Sequence, residues 1–142
     1  MDGEIFERLR AASTAVFEGT EVTFAYLFGS AARGDTHLRS DVDVAVFLEP
    51  APTPERALDL SLELARRLTT ATDLGGIEVV VLNGAPLPLR GRAVRERRVI
   101  FSRDEPARVA YESLTLRAFF DHEIHARPLD ERFLRDAAEG RR

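Results

Sequence analysis

Two carboxylates separated by a single residue, Asp41 and Asp43, are the groups of this chain best placed to do chemistry. They open a run of β-branched, aliphatic and aromatic residues that extends to Leu48. Because side chains alternate across a strand, the two carboxylates would share one face while the valines take the other. Carboxylates this close repel unless a cation lies between them, and Mg²⁺ prefers oxygen ligands and substrate phosphates. The pair therefore predicts a magnesium site that serves nucleotide chemistry.

Gly29 and Ser30 precede this pair, with the ten residues 31–40 between them. A glycine at the end of a strand lets the backbone approach a ligand, and a serine adds a hydroxyl and an amide where a helix begins and anions are favoured. Each signal is weak alone, since Gly-Ser is a common turn dipeptide and edge strands often expose carboxylates. Together, with strand-like runs on both sides, they favour a triphosphate site.

A third acidic residue, Glu78, lies in the otherwise apolar run 77–82. Burying an unpaired carboxylate is costly, so this residue needs an explanation. Either it lies near the start of its strand and reaches solvent, or it stands beside Asp41 and Asp43 on the neighbouring strand and completes the metal site. Asp73 is an alternative third acid that ranks lower, because it precedes two glycines in a predicted loop.

Hydrophobic periodicity and turn residues predict the elements that must position these groups. The first half is predicted to contain a helix over 2–17, a strand over 22–28, a helical turn and loop over 31–40, and a strand over 41–48. A helix that begins after Thr53 and ends before Gly75 follows, and then a strand over 77–82, a helix over 89–97 and a strand over 99–102. The C-terminal tail over 106–142 is predicted to be mostly helical, with a break at Pro128 before a short segment ending at Leu134. The expected fold is a mixed α/β sheet of about four strands flanked by helices.

Composition limits the function. The chain has 142 residues, of which 44% are hydrophobic and 31% charged, so we expect one soluble globular domain. A net charge of −4 disfavours a general nucleic-acid binder and a template-directed polymerase. The chain has no cysteine, which excludes disulfides and thiolate metal sites. No apolar run approaches about 18 residues, so we expect no membrane span, no signal peptide and a cytoplasmic location.

All 20 basic residues are arginine, so a lysine nucleophile is excluded. Five of them lie between Arg90 and Arg98, where they form a solvated helix face or contact an acidic partner or nucleotide phosphates. Arg33 is the better phosphate candidate because it lies between Gly-Ser and the carboxylates, and Arg39 is weaker. In the C-terminal tail, the apolar residues on two helix faces serve the core or a partner surface.

The motif resembles a known signature. Gly29-Ser30, ten residues, then Asp41-Val42-Asp43 is similar to the signature of the DNA polymerase beta-like nucleotidyltransferase superfamily. The sequences at 29–34 and 40–46 resemble its minimal nucleotidyltransferase branch, and the likeness continues through 82–86 and 99–101. Within that branch the chain most resembles the MntA-type antitoxins, which are encoded beside a HEPN ribonuclease toxin. Such proteins transfer AMP from ATP to a tyrosine of the toxin.

The resemblance implies a nucleotidyltransferase fold with a core at about 20–103, one or two Mg²⁺ ions, ATP as substrate and a HEPN toxin as partner, without direct nucleic-acid or membrane contact. It implies catalytic and metal-binding roles for Asp41, Asp43 and Glu78, and nucleotide binding by Gly29, Ser30, Arg33 and Ser40. The superfamily commonly has aspartate where Glu78 stands. Two other functions stay open: an antitoxin that acts by binding alone, and a transferase for a small molecule such as an antibiotic. A homo-oligomer or a hetero-oligomer with the toxin also stays open.

Overall fold

A computed structural model of the protein describes residues 2–33 and 42–139, with side-chain surroundings for 3–32 and 42–124. The elements in chain order are α1 (Asp2–Phe17), β1 (Val22–Phe28), α2 (Ser30–Arg33), β2 (Val42–Leu48), α3 (Pro54–Thr72), β3 (Ile77–Val81), α4 (Leu87–Arg95), β4 (Arg98–Ser102) and α5 (Glu105–Glu139). The predicted mixed α/β architecture is confirmed.

The four strands form one sheet in the order β3-β2-β1-β4. Strand β1 runs antiparallel to β2 and β4, whereas β2 and β3 are parallel. All seven residues of β1 are buried, because helices cover the centre of the sheet on both faces. The sheet therefore holds its central strands rigidly between two helical layers.

The alternation of side chains along the strands assigns each residue to one of these layers. Val44 and Val46 of β2 join the core that packs against α1 and α3. Phe24 and Tyr26 of β1 join the core on the opposite face, together with apolar residues of α4. Asp43 lies between valines that face α1 and α3, so its side chain lies on the α4 face of the sheet. The site must be sought on that face.

Helix α3 follows its sequence signals. The side chain of Thr53 accepts a hydrogen bond from the amide of Arg56 at 3.1 Å, and Pro54 occupies the first turn, where its missing N–H is harmless. Asp73 ends the helix in the left-handed conformation with φ 60°, and its amide donates to the carbonyl of Thr69 at 2.8 Å. Asp73 thus acts as a helix cap four residues before β3 begins.

Helix α5 is fixed to the sheet by a buried carboxylate. Glu112 Oε2 accepts hydrogen bonds from the Tyr26 hydroxyl at 2.8 Å and from Arg108 Nη1 at 2.7 Å, and it pairs with Arg97 Nε at 3.0 Å. Burial raises the pKa of Tyr26 well above its usual range, and the adjacent Glu112 carboxylate raises it further. The network joins α5 to β1 and to the connection between α4 and β4.

The two adjacent phenylalanines of α5 have different surroundings. Phe119 is buried at 8% exposure, whereas Phe120 is 45% exposed. A Cβ added to Gly91 of α4 would lie 2.1 Å from the ring of Phe119, so glycine lets the two helices pack closely. Of the two roles predicted for the apolar residues of the C-terminal tail, core packing therefore applies to Phe119.

The structure corrects two sequence predictions. Pro128 does not break the C-terminal tail, because α5 continues through it to Glu139. A proline inside a helix removes one backbone hydrogen bond and crowds the preceding turn, but its fixed φ is helical and the flanking residues are mostly good helix formers. Helix α4 spans Leu87–Arg95 rather than 89–97, because proline is accepted in its first turn and Glu96 closes it as the C-cap. Among the described helices, none is both long and apolar enough to cross a membrane.

Candidate active site

Two acidic residues come together on the paired strands β2 and β3. Asp43 and Glu78 are register partners in this parallel pair, so their side chains lie on the same face of the sheet. Neighbouring strands are about 4.8 Å apart, so the two carboxylates can reach a common ligand. Asp43 is partly buried at 23% side-chain exposure, and Glu78 is exposed. Glu78 is thus exposed to solvent and also lies beside Asp43, and its role as a third metal ligand remains a prediction.

The turn after β1 lies against Asp43. Phe28, the last residue of β1, pairs with Asp43 across the antiparallel ladder. Gly29 follows with φ +81°, a conformation that L side chains rarely adopt. A Cβ at this position would lie 2.5 Å from Oδ2 of Asp43. Glycine is therefore required here both by its backbone conformation and by the carboxylate beside it.

Two residues of the site, Arg92 and Glu96, were not predicted individually from the sequence. The Gly29 amide donates a hydrogen bond to Glu96 Oε1 at 3.0 Å. The same oxygen is 3.4 Å from Nε of Arg92, whose Nη2 is 4.0 Å from Oδ2 of Asp43. Their spacing of four residues on one helix was a signal for an ion pair. Its position over the glycine turn depends on how α4 packs on the sheet.

The other arginines of this segment contact the chain itself. Arg90 donates to a backbone carbonyl just before α4 at 2.8 Å. Arg95 and Arg98 lie over phenylalanine rings, with 5.4 Å and 3.8 Å to the ring centroids. Arg97 pairs with a buried glutamate of α5 at 3.0 Å. Within this segment, Arg92 is the arginine that lies beside the candidate carboxylate.

Of the four remaining predicted site residues, the structure describes the side chain of Ser30 and the backbone of Arg33. Ser30 begins α2 directly after Gly29, and its side chain is half-buried. Arg33 is the last residue of α2, but its side chain lies outside the described residues, as do Ser40 and Asp41. The predicted roles of these three side chains remain predictions.

The described part of the site suits a hard cation. Asp43 and Glu78 offer carboxylate oxygens from adjacent strands, which is the ligand chemistry that Mg²⁺ prefers. Within the described ranges, no group of three acidic or histidine side chains lies close enough together to hold a metal. Asp41, predicted as the further ligand, is outside those ranges. The residues present therefore fit a magnesium ion that also takes oxygens from a substrate.

The chain is similar to a known protein family and to several solved structures. The family model described as "Polymerase beta, Nucleotidyltransferase" matches residues 13–106. No curated protein matches the chain. A chain of a toxin–antitoxin complex with AMP-PNP is similar with a TM-score of 0.64 and 20% identity, over 94% of this chain and 98% of that one.

Two further solved structures have the same likeness. A chain of the complex between tri-AMPylated Shewanella oneidensis HEPN toxin and MNT antitoxin is similar with a TM-score of 0.66 and 16% identity, over 91% of this chain and 98% of that one. A chain of the toxin–antitoxin complex MntA–HepT gives a TM-score of 0.65 and 16% identity, over 90% and 98%. At this level of identity, the likeness is one of fold.

Proposed function

The chain belongs to the polymerase beta nucleotidyltransferase family, and on that premise we propose that it transfers AMP from ATP to a tyrosine of a HEPN toxin and thereby acts as an antitoxin. The observation that carries this proposal is the paired register of Asp43 and Glu78, with Asp43 directly beside the Gly29 turn. Solved structures of the same fold support the choice of donor and acceptor. One is a toxin–antitoxin complex with AMP-PNP, and another contains a tri-AMPylated HEPN toxin.

In the proposed reaction, the acceptor hydroxyl oxygen forms a bond to the α-phosphorus of ATP. The bond from that phosphorus to the bridging oxygen breaks, and pyrophosphate leaves. Glu78 accepts the proton of the hydroxyl, a role that suits an exposed carboxylate on the strand next to Asp43. The turn at Gly29 and Ser30 binds the triphosphate, assisted by Arg33 and Ser40 of the adjoining motif.

Asp41 and Asp43, with Glu78, would hold one or two Mg²⁺ ions. When bound, the metal offsets the negative charge of the phosphates and of the leaving pyrophosphate. The rigidity of the sheet matters for this role, because β2 lies between two paired strands and Asp43 follows a buried valine. A carboxylate held in this way needs little reorganisation when the cation and the nucleotide arrive.

The test combines chemistry and toxin activity. The purified chain is incubated with Mg²⁺, ATP and a HEPN toxin encoded beside it, and the toxin is analysed by intact mass, by peptide mapping and for ribonuclease activity. We expect an AMP adduct on a tyrosine and loss of ribonuclease activity. The double substitution Asp41→Ala with Asp43→Ala should abolish both, whereas Asp59→Asn, on an exposed position of α3, should change neither.

The same experiment separates the two other functions. Full neutralisation by the double variant without any adduct would replace the enzyme with an antitoxin that acts by contact. An unmodified and active toxin, together with AMP transfer to small hydroxyl compounds, would indicate a small-molecule transferase. An adduct of equal yield from the wild type and the double variant would remove Asp41 and Asp43 from the mechanism.

A further inference from the structure

We propose that Arg92 binds the triphosphate of the nucleotide and that Glu96 is the positioning residue that orients Arg92 and the Gly29 turn. This inference rests on the proposed nucleotidyl transfer and adds two residues from α4 to its substrate site. Among the described residues, an arginine and two carboxylates lie together against the backbone of the turn. The cluster is formed by Arg92, Glu96, Asp43 and Gly29.

Three distances locate the guanidinium of Arg92 beside the turn. Its Nη2 is 4.0 Å from Oδ2 of Asp43, and a Cβ added to Gly29 would lie 3.4 Å from the same nitrogen. Its central carbon is 5.4 Å from the centroid of the Phe28 ring, at the end of β1. The cation therefore lies beside both the carboxylate of β2 and the glycine turn, where the phosphates of a nucleotide would lie in the proposed reaction.

The ion pair with Asp43 leaves much of the guanidinium available. At 4.0 Å the pair is at the outer limit of a salt bridge, and the Arg92 side chain is 48% exposed. Its Nε points to Glu96, and no described residue accepts a hydrogen bond from either terminal nitrogen of Arg92. A guanidinium presents its donors in a planar fork that matches phosphate oxygens, so these terminal nitrogens suit a bidentate phosphate contact.

Glu96 has a different role. Its side chain is only 16% exposed, and its Oε1 accepts from the Gly29 amide at 3.0 Å while facing Nε of Arg92 at 3.4 Å. A single carboxylate thus connects the end of α4 to the turn after β1. The two contacts fix the orientation of the Gly29 peptide and the direction of the Arg92 side chain. This pre-orders both groups before the nucleotide binds.

The chain provides a matched control for Arg92. Arg95 lies on the same helix, is also exposed, and has its guanidinium carbon 5.4 Å from the centroid of the Phe119 ring. Arg92 and Arg95 therefore make the same kind of contact with an aromatic ring, but Arg95 lies outside the cluster. Substitution of either residue by alanine should change thermal stability to a similar extent, and only substitution of Arg92 should change nucleotide binding.

The experiment measures binding of AMP-PNP in the presence of Mg²⁺ by calorimetry, without any acceptor protein. We expect Arg92→Ala to weaken binding by about 10- to 100-fold, the range of charge-assisted hydrogen bonds. Arg92→Lys should lose less, because lysine keeps the charge but not the fork, and Arg95→Ala should bind as wild type does. Tripolyphosphate, used to displace a fluorescent ATP analogue, should lose affinity for Arg92→Ala by the same factor, because the contact is to phosphate and not to the base.

The variants of Glu96 test the positioning role. Glu96→Ala should weaken AMP-PNP binding and raise KM for ATP more than it lowers kcat, and Glu96→Gln should recover part of the loss because its amide oxygen can still accept from the Gly29 amide. Tighter binding by Glu96→Ala would mean that the carboxylate competes with phosphate for the turn, which would overturn the positioning role. Wild-type affinity in Arg92→Ala would overturn the phosphate contact. Failure of the wild type itself to bind AMP-PNP would instead overturn the proposed function.

Discussion

The substitution Gly29→Ala tests the geometry of the site more sharply than removal of a charge. Gly29 has φ +81°, and an L residue in the left-handed conformation costs about 1–2 kcal/mol. For a chain of 142 residues, that cost lowers Tm by roughly 3–7 °C. The backbone alone therefore predicts a folded but less stable protein.

The new methyl group also affects Asp43. It would lie 2.5 Å from Oδ2 of Asp43, whereas ordinary contacts begin at 3.4 Å. The oxygen must therefore retreat by about 1 Å, which costs little stability because it is the end of a side chain. A misplacement of about 1 Å can cost roughly 100-fold in rate. We expect Gly29→Ala to lose transfer activity by about this factor, well beyond its effect on stability.

Gly19 offers the matched control. It has φ +79°, and a Cβ added there would meet nothing within 4 Å. Gly19→Ala should lose the same 1–2 kcal/mol from backbone strain and keep wild-type activity. Unfolding in urea gives the two stabilities, and the rate of AMP transfer at saturating toxin gives the two activities. Equal activity of the two alanine variants would refute the contact between the Gly29 turn and Asp43, whether both variants are active or both inactive.

Substitutions at three other positions test the support of the site and its third carboxylate. Glu112→Ala should lower the free energy of unfolding by about 3 kcal/mol, because it leaves the buried Tyr26 hydroxyl and two partly buried arginines without their acceptor. A loss below 1 kcal/mol in urea unfolding would contradict this. Burial raises the pKa values of Tyr26 and Tyr111, so the stability that these two hydroxyls contribute should be constant well below pH 10 and should fall as the pH rises above it, by at most about 1.4 kcal/mol per pH unit for each tyrosine. The chain has neither lysine nor cysteine, so Tyr26→Phe should make this fall less steep in unfolding curves from pH 9 to 12, and an unchanged slope would contradict the shift at Tyr26. Glu78→Asp should keep transfer activity within about 10-fold of the wild type, because it keeps a carboxylate. Glu78→Gln should lose about 100-fold, since general bases contribute roughly 100-fold or more. Equal transfer rates for Glu78→Gln and the wild type would exclude Glu78 as the base.

Much of the framework could be predicted from the sequence because it depends on local chemistry. The β-branched and aromatic run of β1 and the Thr53-Pro54 start of α3 are short-range signals, and both elements begin where they were predicted. The alternation along β2 also predicted that Asp43 would lie opposite its neighbouring valines. Glu78 was placed beside Asp43 because its strand was expected to pair with β2, and the parallel register puts the two residues directly opposite each other.

Contacts between distant elements could not be predicted in this way. Arg92 and Glu96 are four residues apart, which indicates a pair, but nothing local indicates that the end of α4 packs over Gly29. The need for glycine at position 29 was predicted from its strand end, whereas the proximity of Asp43 depends on the antiparallel register of β1 and β2. At Pro128 the local signal was misleading. Proline predicted a break in the C-terminal helix, but α5 continues through this position.

The most direct test of the central claim follows the phosphorus atoms of ATP. The chain is incubated with Mg²⁺, a HEPN toxin and ATP that carries a radiolabel at either the α- or the γ-phosphate. We predict that label from the α-phosphate alone reaches the toxin, that Asp43→Asn and Glu78→Gln reduce it by about 100-fold, and that Asp59→Asn does not. Transfer of the γ-label, or undiminished α-labelling by Asp43→Asn, would contradict nucleotidyl transfer by the carboxylates of β2 and β3.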